Sequence, residues 1–208
     1  MGIGLEKEIL LIIAVPIWII TRVVNWRLKK KSKESLNREI VLNIFFIYIV
    51  ALLSVTLFPL NIEFGSSYRY WFSINLVPVI STFKEVSNIA NEPNMHNFMI
   101  MFWIKNIIGN ILLLFPLGLM LPMLWKKLQK VRNTVIFALC LSFSIELMQL
   151  LSSFIGNRGR AFDIDDILLN TLGAWLGFII YDKFIKKYVA NYKLCSLSEK
   201  NTSDTINL

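Results

Sequence analysis

The sequence predicts an all-α, polytopic membrane bundle of about five transmembrane helices, and three observations carry that expectation. Hydrophobic residues make up 55% of the 208-residue chain, a larger share than in an average soluble domain. The apolar residues gather in five runs, 9–24, 40–60, 107–125, 133–155 and 164–185, each near the roughly 20 residues that cross a hydrocarbon core. The basic residues concentrate between alternate runs, the asymmetry that orients membrane helices.

Taken in order, the first run is the shortest, and it follows Glu6, Lys7 and Glu8 rather than the basic start of a secretory signal, so it is read as an uncleaved span. Arg22 closes it, and Arg27, Lys29, Lys30, Lys31, Lys33 and Arg38 fill the connection to the second run. Residues 61–97 contain Pro78 and Pro93 and alternate aromatic with polar residues in "YRYWFSINLVPV". Such side chains settle at a membrane interface, so a partly embedded outer loop is expected between spans two and three. In the third run "FPLGLMLP" places Pro116 and Pro122 where they bend or end a helix, as Pro16 does in the first.

Lys126, Lys127, Lys130 and Arg132 separate the third run from the fourth, and Lys183, Lys186, Lys187 and Lys193 close the fifth. These share a side with the first connection, which puts the N-terminus outside, the C-terminus in the cytoplasm and the chain in the cell membrane as a multi-pass protein. Gly173 and Gly177, four apart in "GAWLG", give the fifth helix a face that a neighbour can approach closely. Residues 1–193 form a single membrane domain, and the polar stretch 194–208 is expected to be a disordered cytoplasmic tail. The net charge of +8 follows from topology and from attraction to anionic lipid, so no nucleic-acid partner is implied. Cys140 lies in a span and Cys195 beyond the last one, which excludes a disulfide framework.

Polar residues inside the spans are costly and mark sites or buried partners. Ser142, Glu146, Gln149 and Ser153 fall at spacings of one helical face in the fourth run. Asn106 with Asn110 in the third run, and Asp166 with Asn170 in the fifth, do the same at the outer end. Three helices thus offer polar faces at one depth, and Arg158 and Arg160 sit on the short loop above them. Each residue also has a structural reading. Asp163 and Asp165 suit a helix start, where a cap and the helix dipole favour carboxylates. Glu146 with Gln149 suits interhelical hydrogen bonding. Lys105 suits snorkelling, and His96, the single histidine, suits a solvated loop.

The chain has no HExxH, paired CxxC, P-loop or GxSxG, which removes the usual zinc protease, nucleotide hydrolase and serine hydrolase. No cofactor is implied. "DIDD" lacks the glycine and distal glutamate of a calcium loop, so the residues leave the question of a metal open.

The blocks "INLVPV" (74–79), "KNIIGNILLLFPLGLMLP" (105–122), "SFSIELMQ" (142–149) and "FDIDDILLNTLGAWLG" (162–177) resemble, in order, those of the VanZ-like family of integral membrane proteins, known for resistance to the glycopeptide teicoplanin. The matching positions are Asn75, Pro78, Asn106, Asn110, Pro116, Gly118, Glu146, Gln149, Asp163, Asp166, Asn170 and Gly173. Val79 stands where the family pattern has an aromatic residue. The resemblance implies action at the outer envelope and lowered sensitivity to teicoplanin-like lipoglycopeptides, and it adds Asn75 and Asp163 to the candidate site.

Two functions compete. In the first, an outward-facing site made of Asn75, Asn106, Asn110, Glu146, Gln149, Arg158, Asp163, Asp166 and Asn170 binds a lipid headgroup, a lipid-linked cell-wall precursor or the glycopeptide itself. In the second, an intramembrane enzyme acts on a glycolipid or lipid-linked substrate, with Glu146 as general base or acid and Asp166 as its partner or a cation ligand. A transporter fits less well, because 113–121 and 175–181 carry no charge and a polar path would stop halfway. Oligomeric state leaves no trace in the sequence.

Overall fold

The computed structural model of this chain describes residues 2–28, 36–63, 73–75, 96–154 and 161–188. Five long helices account for most of them: α1 (Lys7–Leu28), α2 (Leu36–Leu57), α3 (His96–Leu124), α4 (Val131–Phe154) and α5 (Ile164–Ile180). Among the described residues, four segments are long and apolar enough to cross a membrane: Arg38–Leu57, Ile104–Leu124, Val131–Phe154 and Ile164–Tyr188. α1 corresponds to the first apolar run and spans 22 residues, as does α2, about 33 Å at 1.5 Å per residue.

The bundle exposes apolar side chains that a water-soluble one would bury, and it buries polar ones among its apolar core. Ile12, Ile47 and Val55 are 70%, 66% and 69% exposed, whereas Thr134, Ser142, Glu146 and Asn170 are almost fully buried. Apolar surface that would be costly in water is at no disadvantage against lipid, while polar side chains need partners inside the protein.

α1 and α2 form an antiparallel pair fastened at both ends. At one end β1 (Gly2–Leu5) pairs antiparallel with β2 (Leu60–Glu63), Gly2 opposite Glu63 and Leu5 opposite Leu60. At the other, Arg22 reaches Glu39 at 2.5 Å and Asn43 at 2.6 Å while its guanidinium lies over the Trp18 ring. Trp18 in turn stacks on Phe46.

Among the described elements α3 and α5 make the most extensive contact, and glycine is the reason. A Cβ at Gly118 would fall on the backbone of Ala174, one at Gly173 on the carbonyl of Ile111, and one at Gly177 on the carbonyl of Phe115. The expected face of Gly173 and Gly177 is therefore a backbone-to-backbone seam, with Gly118 supplying its counterpart from α3. Leu114, Leu117, Leu121, Ala138, Ile145 and Ala174 close the core around it, joined by Leu52 of α2.

None of the three prolines expected to bend or end a helix ends one. Pro16 lies inside α1, and Pro116 and Pro122 inside α3. Near Pro116, which cannot donate a backbone hydrogen bond, the Tyr48 hydroxyl of α2 donates to the Leu113 carbonyl at 2.8 Å. After α3 a short 3₁₀ turn (Lys126–Leu128) leads into α4, held by Asn133 Nδ2 to the Lys127 carbonyl and Thr134 Oγ1 to the Leu128 carbonyl at 2.7 and 2.6 Å.

The described residues are mostly helical, as expected of an all-α bundle, and among them are four short strands that the sequence did not indicate. Besides β1 and β2, β3 (Ser73–Asn75) pairs in parallel with β4 (Ala161–Asp163). Three-residue strands have no periodicity to read, and their partners lie far apart in the chain. The expected embedded loop falls mostly outside the described residues, as does the tail at 194–208.

Candidate functional site

The start of α5 is where the polar faces meet. Asp163 occupies its N-cap position with extended backbone, and its side chain accepts from the Asp165 amide at 2.9 Å. This is the role its position suggested, since a capping oxygen satisfies an amide that has no helical partner. The same carboxylate does more. In the parallel pairing Asn75 lies directly opposite Asp163, and Asn75 Nδ2 donates to Asp163 Oδ1 at 3.1 Å across 88 residues of sequence.

Below the cap, the Asp163 backbone amide donates to Glu146 Oε2 at 3.1 Å. Glu146 comes from the middle of α4 and is 2% exposed. A carboxylate buried at this depth is tolerated only with donors around it, and the amide at the positive end of α5 is one. The Ser142, Glu146 and Ser153 positions are 0%, 2% and 4% exposed, so the polar stripe of α4 faces inward as its spacing predicted. Phe162 of β4 packs edge-on against Phe143, ring centroids 6.0 Å apart, and covers this side of the site.

Two further hydrogen bonds tie α5 to its neighbours. Asn110 Nδ2 of α3 donates to Asp166 Oδ1. One turn deeper, Asn170 Nδ2 donates to Ser142 Oγ of α4 at 3.0 Å, while Asn170 Oδ1 is buried with no partner among the described residues. The first two turns of α5 are thus bonded to α3, α4, β3 and β4 through side chains that the sequence placed on three separate faces.

Not every expected member joins. Asn106 is exposed on α3 and makes no hydrogen bond among the described residues, although Asn110, one turn on, does. Gln149 is half-buried and donates to the Thr56 carbonyl of α2 at 3.1 Å, which links α4 to α2. Arg158 and Arg160 fall in 155–160, outside the described residues. Among the described residues no group of three or more His, Cys, Asp or Glu side chains is placed to hold a metal.

Sequence reasoning missed three contacts that shape the site. The Asn75–Asp163 contact depends on strand pairing, for which the only sign was that both residues lay in blocks of the family pattern. The contacts with α2 had no sign at all: Gln149 meets the backbone carbonyl of Thr56, which any residue there would offer, and Tyr48 is a lone hydroxyl in an apolar run, without periodicity.

Chemically the cluster is a set of carboxylates and amides with a hydroxyl, rich in hydrogen-bond acceptors and able to orient hydroxyl and amine donors. It has no thiol, imidazole or activated serine. A family model described as VanZ/LLP1 matches residues 45–186, more than half of the chain, including all the described residues of the cluster. Neither the curated proteins nor the solved structures gave a match.

Proposed function

Because the chain belongs to the VanZ/LLP1 family, whose membership points to a membrane protein linked to glycopeptide resistance, we propose that it is a five-span cell-membrane protein whose outer polar site binds the headgroup of an envelope lipid or a lipid-linked cell-wall precursor. Lowered sensitivity to teicoplanin-like lipoglycopeptides follows from that binding. The observation that carries the reading is the convergence of Asn75, Asn110, Glu146, Asp163, Asp166 and Asn170, from five different elements, on the start of one helix. Polar groups this deep in a membrane protein are retained for ligands or for packing. A packing role alone needs far fewer of them, since Gly118, Gly173 and Gly177 already bring α3 and α5 together.

The orientation rests on basic residues. Lys126, Lys127, Lys130 and Arg132 follow α3, and Lys183, Lys186 and Lys187 follow α5, so these ends face the cytoplasm and the start of α5 faces outward. α1 crosses alongside α2, which has its length and is joined to it at both ends. Arg158 lies between α4 and α5 in the sequence, outside the described residues, and its proposed role is that of a cation for a phosphate.

The test replaces Asn110, Glu146, Arg158, Asp166 and Asn170 singly, compares surface expression, and measures teicoplanin susceptibility together with binding of purified protein to phospholipid, lipid-linked precursor and teicoplanin. Variants present at wild-type levels are expected to lose both protection and binding. Full protection by all five would dismiss the proposal. The near-complete burial of Glu146 also supports the second reading, catalysis by Glu146 and Asp166 on a glycolipid. It requires that Glu146→Gln abolish turnover of the bound lipid while leaving its binding within about threefold.

A further inference from the structure

At the opposite end of α5 the helix changes character. Tyr181–Ile185 forms a π turn, closed by the Lys186 amide bonding back to the Tyr181 carbonyl five residues earlier. Such turns hold one residue more than an α-helical turn and recur where a helix must re-aim its side chains. Here Tyr181 stays buried, 3% exposed, with its ring 5.9 Å from Phe178. The residues after it turn outward, and Lys183, Phe184, Lys187 and Tyr188, all from this one helix end, line an open surface cavity of about 450 Å³.

The composition of that cavity is specific. Lys183 and Lys187 are four apart, as are Phe184 and Tyr188, so an ammonium pair stands beside a pair of aromatic rings on one helix face. Phe184 and Tyr188 are 62% and 77% exposed, an arrangement suited to the boundary between acyl chains and headgroups. Lys186 is neutralised by Asp182 at 2.6 Å, whereas Lys183 and Lys187 have no acidic partner among the described residues. The π turn also packs against α3, so the cavity shares its end of the bundle with Lys126 and Lys127. A topology signal needs lysines on that side; it does not need a re-aimed helix end or a cavity.

We infer that this cavity binds the headgroup of an anionic phospholipid, its phosphate held between the ammonium groups of Lys183 and Lys187 and its glycerol and upper acyl carbons lying along Phe184 and Tyr188. The site is separate from the polar cluster at the start of α5, and its failure would leave the reading of that cluster untouched.

Full-length protein in a neutral detergent is titrated with phosphatidylglycerol, with phosphatidylcholine and with inorganic phosphate, and bound lipid is counted by native mass spectrometry. Phosphatidylglycerol is expected to bind and the other two probes to bind at least tenfold more weakly. The Lys183→Gln/Lys187→Gln pair is expected to weaken phosphatidylglycerol binding roughly 30-fold, from the typical contribution of two basic residues at an anionic surface. The Lys126→Gln/Lys127→Gln pair, which removes the same charge from the same end, is expected to weaken it less than threefold. Equal losses in the two pairs would mean diffuse charge attraction, and no loss in the first would mean no site. Either result overturns the inference, as does inorganic phosphate binding as tightly as the lipid.

Discussion

Replacing Gly173 by alanine adds one methyl group at the closest approach of two helices. The added Cβ would stand 2.8 Å from the carbonyl carbon and 3.1 Å from the Cα of Ile111, where carbon contacts are comfortable only at about 3.5 Å and beyond. The nearest atom of all is the Ile111 carbonyl oxygen, far inside contact distance, and backbone atoms of a helix cannot swing aside as a side chain does, so α3 and α5 must part by more than about 1 Å over the seam, at the upper end of overpacking costs, about 3 kcal/mol. Gly109, on the same helix as Ile111, is the internal control: a Cβ there meets nothing within 4 Å. Alanine at Gly109 is expected to stabilise by about 0.5–1 kcal/mol through helix propensity. Equilibrium unfolding in mixed micelles, followed by helical circular dichroism, therefore moves in opposite directions for Gly173→Ala and Gly109→Ala. If both variants shift the midpoint the same way by the same amount, the seam does not hold the helices as described. The displaced α3 also carries Asn110, adjacent to Ile111, away from Asp166, so Gly173→Ala weakens whatever the polar cluster binds.

Three smaller perturbations follow from single contacts. Asp163→Ala removes the cap of α5 and the partner of Asn75 together and is expected to cost about 1–2 kcal/mol, read as a lowered unfolding midpoint. Asp165→Ala, which leaves the cap in place, should cost less than half of that. Glu146→Leu leaves the Asp163 amide without its carboxylate acceptor and is expected to destabilise by about 1–3 kcal/mol, whereas Glu146→Gln keeps an acceptor oxygen and loses less; equal losses would mean that the amide bond is not what the side chain provides. Tyr48→Phe deletes the hydroxyl that meets the Leu113 carbonyl and should cost about 0.5–1.5 kcal/mol, detected in the same unfolding assay.

The helices were legible because lipid-facing segments are read by length and apolarity alone. The second run, placed at 40–60, became Leu36–Leu57, and the fourth, placed at 133–155, became Val131–Phe154. The third began eleven residues earlier than its apolar run, at His96, since Lys105 and Asn106 interrupt apolarity without interrupting a helix. Of the site, the inward face of α4 and the close-approach face of Gly173 and Gly177 were legible from four-residue spacings, which fix which side chains share a face, whereas α3 as the partner of that face was not. Direction across a face was not. Gln149 shares the spacing of Glu146 but bonds to Thr56 of α2, and Asn106 shares that of Asn110 but faces outward. Which of two polar residues on one helix meets the neighbour depends on crossing geometry, and local sequence does not encode it. The Asn75–Asp163 contact depends on a pairing of two strands whose contacting residues lie 88 apart in the chain.

Whether the polar cluster at the start of α5 holds an envelope headgroup is decided by titrating purified protein with a lipid-linked cell-wall precursor. Using the Lys183→Gln/Lys187→Gln background keeps lipid at the other end of the helix from contributing. Saturable binding is expected, weakened at least tenfold in Asp166→Asn/Asn110→Ala, the loss of one charged hydrogen bond of about 1.4 kcal/mol or more. Binding that is unchanged in that variant, with the protein folded, would contradict headgroup binding there.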